Sequence, residues 1–410
     1  MSITIFENAR LFDGISAEAR DGTSVAVDGN EIKEISIGRI HAQYAERIDC
    51  RGKTLMPGMI DNHVHVYIES FNLNQPEPPI TYRAQYAQRF LNHALLCGFT
   101  TVRDVGGGDH GMAMALRAGF VDGPRFYYGG LCLTQTGGHG DNRALMEPSE
   151  YCDCGGRRSS LSVRADGVDE CIRATREELR KGAAHIKIMA SGGVLSPADP
   201  LDRCQYSEAE IRAIVEECRR HGAYVCAHCH PAEAIRRCVQ LGVRSIEHGT
   251  LIDDATAQLV AAAGAFVVPT ISVVFALVQE GPKLGLTEAS LEKLGKIHER
   301  ALSSLETMRR ASVKMGFGTD LLGPHHTRRG EEFTHRNKVL APFDILRSAT
   351  VINAEILQMG GRLGVIKEGA LADLLLVDGD PLRNIELLAA NGRYLTHIML
   401  DGKFVKRLPS

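Results

Sequence analysis

"YVCAHCHPAEAIRRCVQLGVRSIEHGT", residues 224–250, decides how the chain folds. "YVCAHC" is a short β-type segment. "AEAIRRCVQLG" places its apolar residues at helical spacing and ends on Gly242, a residue suited to closing a helix. "SIEHGT" is β-type again. Strand, helix and strand in so few residues describe a βαβ unit, whose two strands run parallel. Each strand also carries a histidine near its end, His228 and His248.

The same alternation extends in both directions. Strand segments "LMPGMIDNHVHV", "FTTVRDVG", "RFYYGG" and "HIKIMASGG" precede this unit, and "FVVPTI" and "KMGFGTD" follow it, which makes eight. Helical stretches lie between them. Ser207 and Glu210 form a capping-box pair at the head of one, and Gly98, Gly182, Gly222, Gly242 and Gly264 each close a helix before the next strand. Eight βα units over about residues 56–355 predict an α/β fold, a (β/α)8 TIM-type barrel. A doubly wound open sheet would need fewer or differently spaced units and a reversal of strand order. The two ends of the chain read as alternating β instead. They predict a small β-sandwich domain built from both termini, residues 1–55 plus 356–410, around a barrel domain of 56–355.

Bulk composition narrows the function. The chain has 410 residues, 44% hydrophobic and 24% charged, an ordinary globular balance. The net charge of −3, without a basic block, argues against nucleic acid or an acidic membrane surface as partner. The apolar run 259–278 is as long as a membrane span, but Gly264 and Pro269 split it. It reads as a helix end, a buried strand and the start of a loop. Eleven scattered cysteines and an N-terminus unlike a signal peptide predict reduced thiols and a cytoplasmic location.

Catalytic groups in barrels sit at the C-terminal ends of strands. His63 and His65, two apart, share one face of the first strand. Lys187 lies in the fourth, His228 in the fifth, His248 in the sixth and Asp320 at the end of the eighth. Each has a plain reading alone: a core histidine, a helix cap, a snorkelling lysine. All of those readings would have to hold together at one end of one barrel. Four imidazoles and a carboxylate suit divalent metal ions, zinc first, with cobalt, manganese or iron possible. Five ligands exceed one tetrahedral site. Two ions about 3.5–4 Å apart need a bridging anion. Burial favours the neutral amine of a lysine, which can add CO₂ and become a carbamate. The set therefore predicts two metal ions and a carboxylated Lys187.

In that order, H-x-H, the strand-four lysine, two single histidines and the final aspartate resemble the amidohydrolase superfamily with a binuclear site. The resemblance spans nearly the whole chain, and "GALADLLLVDGDP" is similar to that family's C-terminal return. More narrowly, "MPGMIDNHVHV", "TTVRDVGG", "TQTGGHGD", "IKIMASGG", "IEHGT" and "MGFGTDLLG" resemble prolidase-like and imidazolonepropionase-like metal-dependent dipeptidases. The resemblance implies a hydrolase of small-molecule amides next to a free carboxylate: Xaa-Pro or other dipeptides, or N-acyl amino acids such as the amide of ochratoxin. It implies His63, His65 and Asp320 on the more buried metal, His228 and His248 on the second, and Lys187 between them. Asp320 would move the proton, and His139 would help polarise the carbonyl. Relatives often place a tyrosine that holds the substrate carboxylate two residues after the strand-five histidine; here it is His230. Tyr67 and Arg328 complete the candidate substrate-binding residues, and relatives imply a homo-oligomer. A cyclic-amide hydrolase or deaminase is the competing enzyme class, but mononuclear members usually lack the bridging lysine. An inactive scaffold need not keep all six groups.

Two loops stand out. Residues 134–167 form a stretch long enough to be a lid, with Cys152 and Cys154 as a metal pair or incidental thiols. "LLGPHHTRRGEEF", 321–333, holds His325, His326, Arg328 and Arg329, either a solvated loop or cations that attract a substrate carboxylate.

Overall fold

Eight short strands run parallel: β1 (Met59–Val64), β2 (Phe99–Asp104), β3 (Arg125–Tyr128), β4 (His185–Met189), β5 (Tyr224–Pro231), β6 (Ser245–Leu251), β7 (Phe266–Val268) and β8 (Lys314–Met315). In this computed structural model, which describes residues 3–71, 77–143, 160–196 and 199–408, they are the eight strands expected from the sequence. β1 to β3 form one arc and β4 to β8 another. Backbone bonds close the arcs into a ring. Ala184 N donates to Tyr128 O, and Asn62 N to Phe317 O and Asp320 N to His63 O, each at 2.9 Å. The last bond ties Asp320 directly to His63, the β1 histidine that His65 follows by two residues.

The helices are amphipathic layers over this ring. α1 (Ile80–Leu96), α2 (His110–Arg117), α3 (Val168–Arg180), α4 (Glu208–Arg220), α5 (Ala232–Gln240) and α6 (Asp254–Ala262) follow the first six strands in turn. At the head of α4, Glu210 N donates to the Ser207 hydroxyl and Ser207 N to the Glu210 carboxylate, the expected capping box. Gly242, at φ 91°, makes the left-handed turn between α5 and β6. Along β4, Ile186 and Ile188 enter the main core while His185, Lys187 and Met189 alternate to the other side.

After β7 the chain departs from expectation. It forms α7 (Ile271–Glu280) instead of a loop. Its apolar residues are buried nearly all round, and the Glu332 carboxylate accepts from Ile271 N and Ser272 N, satisfying its first turn. α8 (Glu288–Arg310) packs beside it. The expected lid begins and ends in two short parallel strands, Cys132–Thr134 and Ser162–Arg164. Cys152 and Cys154 lie outside the described residues.

The two ends of the chain meet in one eight-stranded sheet, the β-sandwich portion of the fold. The C-terminal strand Leu374–Asp378 pairs antiparallel with Lys53–Pro57, the strand that leads into β1. Thr4–Leu11 also pairs in parallel with Glu46–Asp49, so the sheet is mixed, not purely antiparallel. Phe6, Val25, Leu55, Leu374 and Met399 fill its own apolar core. Among the described residues, no helix is long and apolar enough to cross a membrane.

Candidate metal centre and active site

The strand ends converge on one cavity of about 100 Å³, lined by His63, His65, His139, Lys187, His228, His230, His248 and Asp320. The Nε2 atoms of His63 and His65 each lie 3.5 Å from Asp320 Oδ1, and these three residues could hold one ion. His228 and His248 stand beside them, with ring centroids 4.6 Å apart.

A ring nitrogen that donates elsewhere leaves the other free for a metal. His63 Nδ1 bonds Glu247 Oε2 at 2.7 Å, His65 Nδ1 bonds Gly106 O at 2.9 Å, and His248 Nδ1 bonds Thr270 Oγ1 at 2.7 Å. All three leave Nε2 free. His228 is held the other way round, with Nε2 on Gly192 O at 3.2 Å, which leaves Nδ1. Beneath the cluster, Glu247 and Arg103 form a fully buried ion pair at 2.7 Å, joined by the Ser245 hydroxyl. Gly318 lets β8 close in: a Cβ there would stand 2.7 Å from His63 Cβ and 2.5 Å from Val268.

Two ligand-type residues sit on strained backbone. Ser245 and Glu247 face the barrel interior and Ile246 the helix layer, so alternation alone would turn His248 outward. Its φ of 72° turns it inward. Asp320 has φ 53°. Such conformations in residues other than glycine cluster at functional sites.

Burial sets the protonation states. It holds the imidazoles of His63, His228 and His248 well below their ordinary pKa, lowers His65 to about 4 and His230 to about 3, and raises Asp320 to about 7. The imidazoles are thus neutral lone-pair donors. Lys187 is 2% exposed, and its amine has no hydrogen-bond or ion-pair partner among the described residues. A buried amine without a partner, set among neutral histidines and a carboxylate, fits a group that binds CO₂ and bridges cations.

The remaining sequence candidates divide. His139 lines the cavity, stacked on His228 at 4.2 Å between centroids. His230 lines it too, stacked on His248 at 5.1 Å, with no partner for its Nδ1 among the described residues. Tyr67 does not line it: its hydroxyl donates to Asp109 Oδ1, at the cap of α2. Nor does Arg328, whose guanidinium is taken up by Glu331, Glu280 and Gln279. The cations of the 321–333 loop are turned into the protein and away from the cavity. Arg329 is fully buried against Asp61 and over the Phe90 ring, His325 bonds Glu280, and His326 packs on Tyr86 and Phe90. Neither a solvated loop nor a carboxylate trap describes it.

Sequence reasoning missed Glu247 and Thr270, which bond His63 and His248, and Ser196 and Asp199, which lie beside His139 Nδ1. Glu247 alone had a signal, an acid next to His248 in a β-rich run. Above the cluster the walls are aliphatic: Leu161, Val194, Leu195, Val273, Leu277, Leu294 and Ile297.

A closed barrel with this cluster at its strand ends defines the class. The chain matches the Amidohydrolase family over residues 54–405 and belongs to it. It is a hydrolase acting on C–N bonds. It is 32% identical to the ochratoxinase of Aspergillus niger over 376 residues, covering 87% of this chain and 76% of that protein. Among solved structures it resembles a prolidase complexed with N-methylphosphonate-L-proline (43% identity, TM-score 0.96, covering 99% of this chain and 100% of that one). It also resembles a Xaa-Pro dipeptidase with methionine bound in its active site (30% identity, TM-score 0.88, covering 99% and 100%).

Proposed function

We propose that this chain is a binuclear-metal hydrolase that cleaves an amide bond next to a free carboxylate, in dipeptides such as Xaa-Pro or in N-acyl amino acids. One observation carries the reading: six groups able to hold two cations, four histidines, Asp320 and the unpartnered Lys187, meet at one cavity. The likeness to a prolidase and a Xaa-Pro dipeptidase supports the substrate class.

In this reading His63, His65 and Asp320 would hold the more buried ion, His228 and His248 would hold the second, and a carboxylated Lys187 would serve both. Zinc suits so many imidazoles best. When bound, the ions supply an acidified water near neutral pH and Lewis acidity toward the scissile carbonyl. Asp320 takes the proton of the attacking water and delivers it to the leaving nitrogen. His139 donates to the carbonyl oxygen as charge develops there. His230, with its open Nδ1, stands where it can meet the substrate carboxylate. The aliphatic walls exclude water and favour an uncharged substrate side chain.

The tests are direct. Metal analysis of purified protein should give about two ions per chain, and Lys187→Ala should lose metal and activity together. One ion, with an unmodified amine at Lys187, overturns the bridging role. A screen of dipeptides and N-acyl amino acids with varied C-terminal residues should find turnover; failure on every carboxylate-bearing amide overturns the substrate class. The 32% identity to an ochratoxinase favours a second reading, a bulky aromatic N-acyl amino acid, and the same screen separates the two.

A further inference from the structure

The loop after β4 makes a second set of bonds that the chemistry above does not use. Asp199 lies in this loop and is 4% exposed. Its carboxylate accepts from the Ser196 hydroxyl, from Gly193 N at 3.1 Å and from Gln205 Nε2 at 3.2 Å. Lys293 of α8 reaches it at 3.6 Å and also donates to Gly193 O and Ser196 O, both at 3.0 Å. Ser196 Oγ in turn lies 2.7 Å from His139 Nδ1, and the Asp199 carboxylate is itself 3.4 Å from that nitrogen. Gln205 Oε1 accepts from His139 N at 2.9 Å.

The directions of these bonds follow from proton counting. An ionised carboxylate only accepts, and a serine has one hydroxyl proton. Ser196 gives that proton to Asp199, so its oxygen accepts from His139, and the proton on that bond sits on Nδ1. The ring's other nitrogen, Nε2, is then the polar atom left for the cavity. Gly193 supplies the space: a Cβ there would stand 2.1 Å from His139 Cε1 and 2.4 Å from Nε2.

We propose that Asp199 is the positioning residue of His139. Through Ser196 it holds the Nδ1–H side of the ring, and it keeps the ring over Gly193 with Nε2 presented to the substrate carbonyl. To donate from Nε2 the ring carries a proton on both nitrogens, and the Asp199 carboxylate, 3.4 Å from Nδ1, offsets that charge. This assignment rests on the role given to His139 above. Lys293 extends the arrangement to α8, whose Leu294 and Ile297 form part of the cavity wall. The helix that contacts the substrate side chain is therefore bonded to the loop that aims the histidine.

A double-mutant cycle tests this, using the dipeptide or N-acyl amino acid turned over fastest in the screen. His139→Ala should lower kcat about 100-fold, the scale of an oxyanion donor. Asp199→Ala and Ser196→Ala should each lower kcat about 10–100-fold, the scale of an outer-shell partner. KM and metal per chain should stay as in the parent protein. In the His139→Ala background, Asp199→Ala should cost little more, because both act through one ring. Gly193→Ala should reproduce the kcat loss by displacing the ring. If Asp199→Ala does not fold, Asp199→Asn and Ser196→Ala carry the same cycle. A kcat loss that multiplies with that of His139→Ala, or loss of metal in the Asp199 variants, overturns the positioning role alone. An unchanged kcat in His139→Ala overturns the role of His139 itself, and this assignment with it.

Discussion

One dihedral decides whether His248 belongs to the site. The metal-type residues were legible because each stands in a barrel strand or shortly after one, on the side where barrels place their chemistry. Their inward direction was only partly legible. His63 and His65 follow from alternation, whereas His248 follows Glu247, which already faces inward, and reaches the cavity only through a positive φ. No pattern of residue types announces that turn. Glu247 went unassigned for a related reason: one acid in a β-rich run gives no sign that it will pair with Arg103 and aim His63. Glu247→Gln should weaken metal binding about 10–100-fold, read by competition with a chromophoric chelator. Unchanged affinity would mean that Glu247 serves only Arg103.

Among the elements, all eight strands could be read from the sequence, and α7 could not. Pro269 and Thr270 carry the marks of a turn, and an apolar run after a turn looks like strand or loop. Three-dimensional context overrides this. Glu332, some sixty positions later, accepts from the first backbone amides of α7 and pairs with Arg336 at 2.6 Å. A cap supplied from so far along the chain leaves no local signature. Glu332→Ala would strip that cap and leave the buried Arg336 guanidinium without its carboxylate. A loss of about 3–5 kcal/mol is expected, the scale for breaking a buried pair, measured by denaturant titration. A loss below about 1 kcal/mol would show that the pair contributes no more than a surface one. The loop 321–333 was misread for the opposite reason. Its four cationic or polar side chains suggest exposure, yet acids from α7 and β1 pair with His325, Arg328 and Arg329, and His326 packs among aromatic rings.

At the scale of the molecule, the barrel and the terminal sheet were both expected, although the sheet proves mixed. The site joins parts of the chain that are far apart, since its ligand-type residues run from His63 to Asp320 and Asp320 N closes the ring on His63 O. Ions held there should lock both arcs together. Removing metal with a chelator should lower the melting temperature, and restoring zinc at about 100 times its Kd should return roughly 2.7 kcal/mol. A melting temperature indifferent to chelator would mean that the cluster holds no ion that matters to the fold.

The pairing of Leu374–Asp378 with Lys53–Pro57 also bears on synthesis. The strand that leads into β1 is translated early, and its partner follows more than three hundred residues later. At roughly 5–20 residues per second, the early strand waits about 15–65 s on the ribosome with one edge open. Exposed edges invite pairing with other chains. A nascent chain of this protein should therefore depend on chaperones until its last strands emerge, and slow translation near its 3′ end should lower the yield of folded protein more than slow translation at its start.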